Sequence, residues 1–210
     1  MEKPILIFLV TALISFAGSL QLGPVNLMVI RAVLRRNFQT GLWIAVGGCL
    51  PEMMYATAAI GVEAGLEQQE SLWKLLEWSA VPALFIVGIV VFFTPNRPVK
   101  LENAPQSFSF FKGLTLGLLN PQLFPYWLVM LVQFKMYRKL HVQTLPEQAA
   151  FIIGTAVGAL GLLVTVAALT SRFRESLLEK LERLNVNRFL GVLFIVLALV
   201  QLVKLYQQAQ

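Results

Sequence analysis

The sequence predicts an all-α polytopic membrane protein of about six transmembrane helices, built as two inverted three-helix repeats with broken helices 1 and 4. Three observations lead there. The 210 residues are 57% hydrophobic and 13% charged, with mean hydropathy +0.71, which is more apolar surface than a soluble chain hides in one core. Apolar runs recur along the chain at close to bilayer length. Two of these runs are interrupted in matching places by polar, proline-containing hexads, Gln21-Leu22-Gly23-Pro24-Val25-Asn26 and Asn120-Pro121-Gln122-Leu123-Phe124-Pro125.

The runs lie near 5–31, 41–61, 79–94, 113–134, 148–170 and 187–206, and a span needs roughly 20 residues. The first is over-long for a straight helix, so it must tilt or break, and Gly23-Pro24 is the place. Residues 1–19 are read as part of this span and not as a cleaved leader, because Glu2 stands beside Lys3 and the apolar run continues to Val29. The second run carries Glu52 about midway. The third is short, and Leu72, Trp73, Leu75, Leu76 and Trp78 either extend it or lie along the interface. The fourth breaks at Asn120-Pro121. Gly154 and Gly158 give the fifth a ridge of small residues, which packs a helix of the same chain in preference to a homodimer partner. Phe173, Leu177, Leu181 and Leu184 then share one face of an amphipathic piece before the sixth. Three spans is an odd number, so two such halves cross the membrane in opposite senses. The chain reads as one transmembrane domain, 1–210, with a first repeat over 1–96, a cytoplasmic linker over 97–112 and a second repeat over 113–210.

Charge sets the orientation. The net charge of +6 comes from basic residues gathered in short connections: Arg31, Arg35 and Arg36 after the first span, Arg97, Lys100 and Lys112 after the third, and Arg172, Arg174, Lys180, Arg183 and Arg188 after the fifth. Such clusters stay in the cytoplasm and meet anionic lipid, which leaves both termini outside. No basic-aromatic module suggests a nucleic-acid partner. Cys49 is alone and reads as an apolar filler. His141, also alone, sits in a basic loop, and aspartate is absent, so no span offers the clustered ligands of a metal site. No nucleophile elbow or metal-protease helix motif suggests an enzyme.

Proline removes a backbone donor and crowds the preceding turn, so each hexad frees N–H and C=O groups that lipid cannot satisfy. Paired breaks of this kind point to a transporter's substrate site. The second half of a broken helix starts with exposed N–H groups suited to a carboxylate, and freed carbonyls and amides suit an ammonium. A zwitterionic amino acid fits both. Gln21, Gly23, Pro24, Asn26, Asn120, Pro121 and Gln122 are therefore the expected substrate-binding set, although the amides would serve equally to cap the broken ends. Glu52 is the sharper candidate. An ionised carboxylate at midspan must be paired or wet, so it either carries a proton and contacts the substrate ammonium or stays protonated and bonds a neighbouring helix. Tyr126 and Trp127 read as interfacial anchors or core packing, ahead of substrate stacking.

Gly23-Pro24-Val25-Asn26 with the arginine-rich turn that follows, Gly41, Gly47, the acid at 52 and Leu119-Asn120-Pro121 together resemble the LysE-type amino-acid exporter (translocator) family over most of the chain. Leu22 stands where that family usually has proline, and Pro51-Glu52 where it commonly has glycine and aspartate. The resemblance implies a multi-pass protein of the bacterial cytoplasmic (inner) membrane that exports amino acids such as lysine, threonine or homoserine by drawing on the proton gradient. Its partners would be the substrate, protons and the bilayer, with no cofactor. It supports Gly23, Pro24, Asn26, Glu52, Asn120 and Pro121 as functional, while Gln21 and Gln122 rest on the residues alone. The competing expectation is a membrane assembly or accessory subunit whose polar breaks only pack against partners.

Overall fold

A computed structural model describes residues 2–20, 23–66, 106–120 and 122–175, with scattered positions between 78 and 93 and between 192 and 206. Six helices account for the continuous stretches: α1 (Glu2–Gly18), α2 (Pro24–Arg35), α3 (Phe38–Leu66), α4 (Gln106–Leu118), α5 (Leu123–Met136) and α6 (Leu145–Arg172). No strand occurs among the described residues.

Both expected breaks are present. The first apolar run divides into α1 and α2, and α2 starts with Gly23 as its N-cap and Pro24 in its first turn, where a missing N–H costs nothing. The fourth run divides into α4 and α5, two pieces bent by 63°. By contrast, α3 runs unbroken through Pro51, whose ring is fully buried against Gly117 of α4. Phe38–Glu63 and Leu145–Arg172 are each long and apolar enough to cross a membrane alone, and the bent α4–α5 pair makes a third such span. Most of the expected third and sixth spans and of the Leu72–Trp78 stretch lies outside the described residues, as do Leu177, Leu181 and Leu184 of the amphipathic piece and most of the 97–112 linker.

Local chemistry sets the helix starts. Asn37 Oδ1 accepts from the Thr40 amide at 2.8 Å and from the Thr40 hydroxyl at 2.9 Å, closing the turn into α3. Glu147 reaches back to the Gln143 and Thr144 amides at 2.8 and 2.9 Å and pairs with Lys3 at 2.8 Å, which fixes the start of α6 beside the start of α1.

Two seams of small residues hold the bundle. Gly154 of α6 lies on Phe8 and Thr11 of α1, and Gly158 lies on Ala12, Ser15 and Phe16. The register advances in the same sense on both helices, so α1 and α6 are parallel. Ser15 Oγ also donates to the Thr155 carbonyl at 2.6 Å. The expected glycine ridge therefore packs inside the chain. In the second seam Gly47 of α3 faces the Phe110 carbonyl of α4, and Gly113 and Gly117 of α4 face the Ile44 and Gly48 carbonyls. This pair is parallel too. With no Cβ between them the backbones close to a separation that larger residues forbid.

The helix ends sort by charge. Arg174 beyond α6 donates to the Leu34 carbonyl at 2.7 Å, beside Arg35 and Arg36, so these arginines share one end of the bundle. At about 1.5 Å per residue the 28-residue α6 carries its start to the opposite end. Lys3–Glu147 sits there, and Lys135 pairs with Glu63 at 3.3 Å at the far end of α3.

Candidate functional site

The middle turns of α3, Gly48 to Tyr55, lie between the two breaks. On one side Gly48 rests against Val25 in the first turn of α2. On the other, Pro51 rests against Gly117, and the Tyr55 hydroxyl donates to the Leu118 carbonyl at 2.6 Å. Leu118 ends α4, so its carbonyl is one that the break has released, and a tyrosine supplies the donor that lipid cannot.

Glu52 is buried at this point, 7% exposed, and accepts the indole N–H of Trp127 from α5. Trp127 is itself fully buried, edge-on to Tyr126 at 5.0 Å and to Phe151 of α6 at 5.5 Å between ring centres. Tyr126 extends the contact. Its hydroxyl donates to the Ile14 carbonyl of α1 at 3.2 Å and lies against Gly18, the last residue before the first break. The two breaks are therefore joined through Tyr126, with Glu52 beside the second.

The expected site residues fall as follows. Asn26 is 5% exposed, and its Nδ2 donates to the Ser19 carbonyl at 2.8 Å, bridging the first break. Asn120 Oδ1 accepts the Gln122 amide at 3.2 Å, a tight turn across the second. Both bonds do what capping amides would do. Gly23 and Gln122 are the N-caps of α2 and α5, and neither helix start has a side-chain cap. Gln21 and Pro121 lie outside the described residues. Cys49 is buried and donates to the Val46 carbonyl at 3.2 Å, in keeping with a filler. Among the described residues no group of acidic, cysteine or histidine side chains could hold a metal.

Tyr55, Tyr126 and Trp127 were not legible as site residues. Trp127 packs in the core, one of the two expectations for it, and the interfacial role fails because burial leaves it no surface. The available signal was position: Tyr55 stands one turn after Glu52, and Tyr126-Trp127 open the helix beyond the second break.

The family model for the LysE type translocator matches residues 16–205. The chain belongs to this family. It is a multi-pass membrane protein of a translocator family, and transport rather than catalysis is the activity that membership carries. No curated protein and no solved structure matches it. The matched range takes in both breaks, Glu52 and Trp127.

Proposed function

We propose that this LysE-type protein exports amino acids, or small zwitterions of the same kind, across the bacterial cytoplasmic membrane by proton-coupled alternating access. The observation that carries the reading is a buried carboxyl, Glu52, set between two broken helices whose second halves start without side-chain caps. A substrate carboxylate is held by the backbone N–H groups and positive dipole at the start of α2, and an ammonium turns to Glu52. Gln21, Gly23, Pro24 and Asn26 from the first break and Asn120, Pro121 and Gln122 from the second are the proposed substrate-binding set. Because a desolvated carboxylate needs a cation or a proton, Glu52 alternates between the ammonium and a proton, which links export to the gradient.

The packing supports an inverted repeat. Exchanging α1 with α4–α5, and α3 with α6, carries the parallel glycine seam of α1 and α6 onto that of α4 and α3. That exchange is what an in-plane pseudo-two-fold axis performs. The shared arginine end favours the cytoplasmic side, with both termini outside. An accessory subunit would place Glu52 at an outer seam, whereas it is buried within one chain.

The test is efflux from loaded cells and proteoliposomes across a panel of amino acids, with and without a proton gradient. Gradient-dependent export of at least one of them is expected. Uniformly background efflux would sink the reading.

A further inference from the structure

Among the described residues the Glu52 carboxyl has one hydrogen-bond partner, the Trp127 indole N–H. That indole is clamped by Tyr126 and Phe151, and it stands one turn beyond the break that separates α4 from α5. The titratable groups facing Glu52 are Cys49 on its own helix and Tyr126 on α5. Tyr55, one turn on, is committed to Leu118. Among the described residues α2, α4 and α6 bring no charged side chain against Glu52, and neither ion pair, Lys3–Glu147 or Lys135–Glu63, includes it.

We propose that Trp127 is the positioning residue for Glu52, and that through it the α4–α5 break responds to whatever the Glu52 carboxyl holds. An ionised carboxylate accepts the indole N–H in a charge-assisted bond, which aims both oxygens and holds the start of α5 against α3. When the carboxyl takes up a proton or shares its charge with a substrate ammonium, the carbonyl oxygen still accepts the indole N–H, but the charge assistance is lost and the bond weakens. The difference between a charged and a neutral acceptor shifts an equilibrium roughly tenfold. A shift of that size can exchange two conformers of comparable stability. Between α4 and α5 the axis turns by 63°, and the Tyr126 bond to Ile14 would carry a displacement of α5 across to the end of α1. The sensor and the two breaks are thus one connected unit. The inference rests on reading Glu52 as the transport site.

The experiment uses the full chain with Trp43, Trp73 and Trp78 each changed to phenylalanine, leaving Trp127 as the only indole, reconstituted in liposomes. Its emission is followed across the pH range in which the chain stays folded, with Glu52 present and in Glu52→Gln. The expected result is a titration that disappears in Glu52→Gln. Emission independent of pH, or a titration that survives Glu52→Gln, overturns the proposal. In the otherwise wild-type chain, Trp127→Phe, which keeps an aromatic ring but removes the donor with the five-membered part of the indole, should lower gradient-driven efflux about tenfold and displace its pH profile. A wild-type rate and profile would overturn the coupling. If no amino acid of the panel is exported, the transport reading fails, while the single-tryptophan titration still decides the tie between Glu52 and Trp127.

Discussion

Tyr126 donates its hydroxyl to the carbonyl of Ile14 at 3.2 Å, so the helix that follows the second break is bonded to the helix that precedes the first. The two residues are 112 positions apart, and the contact depends on Gly18. A Cβ there would stand 2.5 Å from the tyrosine oxygen. A polar tip on an apolar ring suits this place, because the ring packs against the core while the oxygen serves a backbone carbonyl.

Gly18 and Tyr126 should therefore couple energetically. Gly18→Ala is expected to destabilise the protein by about 1–3 kcal/mol through overpacking. Tyr126→Phe alone should cost about 0.5–1.5 kcal/mol, the worth of one hydrogen bond. Together they should cost less than the sum, since removing the hydroxyl removes the atom that the new methyl meets. Thermal unfolding of the four proteins in detergent gives the cycle, and strict additivity would show that the contact is not made.

The breaks were legible because Gly23-Pro24 and Asn120-Pro121 are backbone chemistry, which acts locally and needs no partner to be recognised. Gly154 and Gly158 were legible for a similar reason: their spacing places them on one helix face. What Glu52 bonds to was not. Depth in a span shows that a carboxylate must be satisfied, but Trp127 lies 75 residues away and only the packing of α3 on α5 brings them together. The same holds for Tyr55 and Leu118, 63 residues apart. Asn26 and Asn120 show the opposite case, since each bonds within its own break, and the rule that amides cap broken ends predicts that much from sequence.

The glycine seams make a prediction about sign. A Cβ on Gly47 would run into the Phe110 backbone carbonyl, which cannot rotate away, so Gly47→Ala should force α3 and α4 apart and cost about 1–3 kcal/mol. Gly61, on the same helix, has nothing within 4 Å of an added Cβ. Gly61→Ala should be neutral or stabilising by up to about 1 kcal/mol, the helix preference of alanine over glycine. Unfolding temperatures in detergent check both, and equal effects at the two positions would mean that the seam is not the constraint.

Orientation is checked independently of transport. Arg174 and Leu34 bring the arginine-rich ends of α2 and α6 together, and the proposed placement of that end in the cytoplasm would put the Lys3–Glu147 end outside. A reporter that is active only outside the cytoplasm should light up when fused after Gln210. Activity of a cytoplasm-specific reporter there would show that the charge bias has been misread, or that the span count is wrong by one.

Glu52 supports the sharpest prediction, because two substitutions separate its chemistry from its place in the fold. Glu52→Gln keeps an oxygen that can accept the Trp127 N–H, so folding and insertion should persist with a stability change under about 1 kcal/mol. Glu52→Leu leaves that buried N–H without an acceptor and should cost about 1–3 kcal/mol. Neither variant can exchange a proton, and gradient-driven efflux should collapse in both. Substrate exchange, which needs no net proton movement, then divides the roles. If the carboxylate grips the ammonium, its loss removes a buried charge pair worth about 3–5 kcal/mol, and exchange should fall more than a hundredfold in Glu52→Gln. If Glu52 only carries the proton, exchange should survive near the wild-type rate. Efflux in Glu52→Gln that still follows the gradient would leave the carboxyl as a structural acceptor for Trp127 and move binding to the helix starts at Pro24 and Leu123.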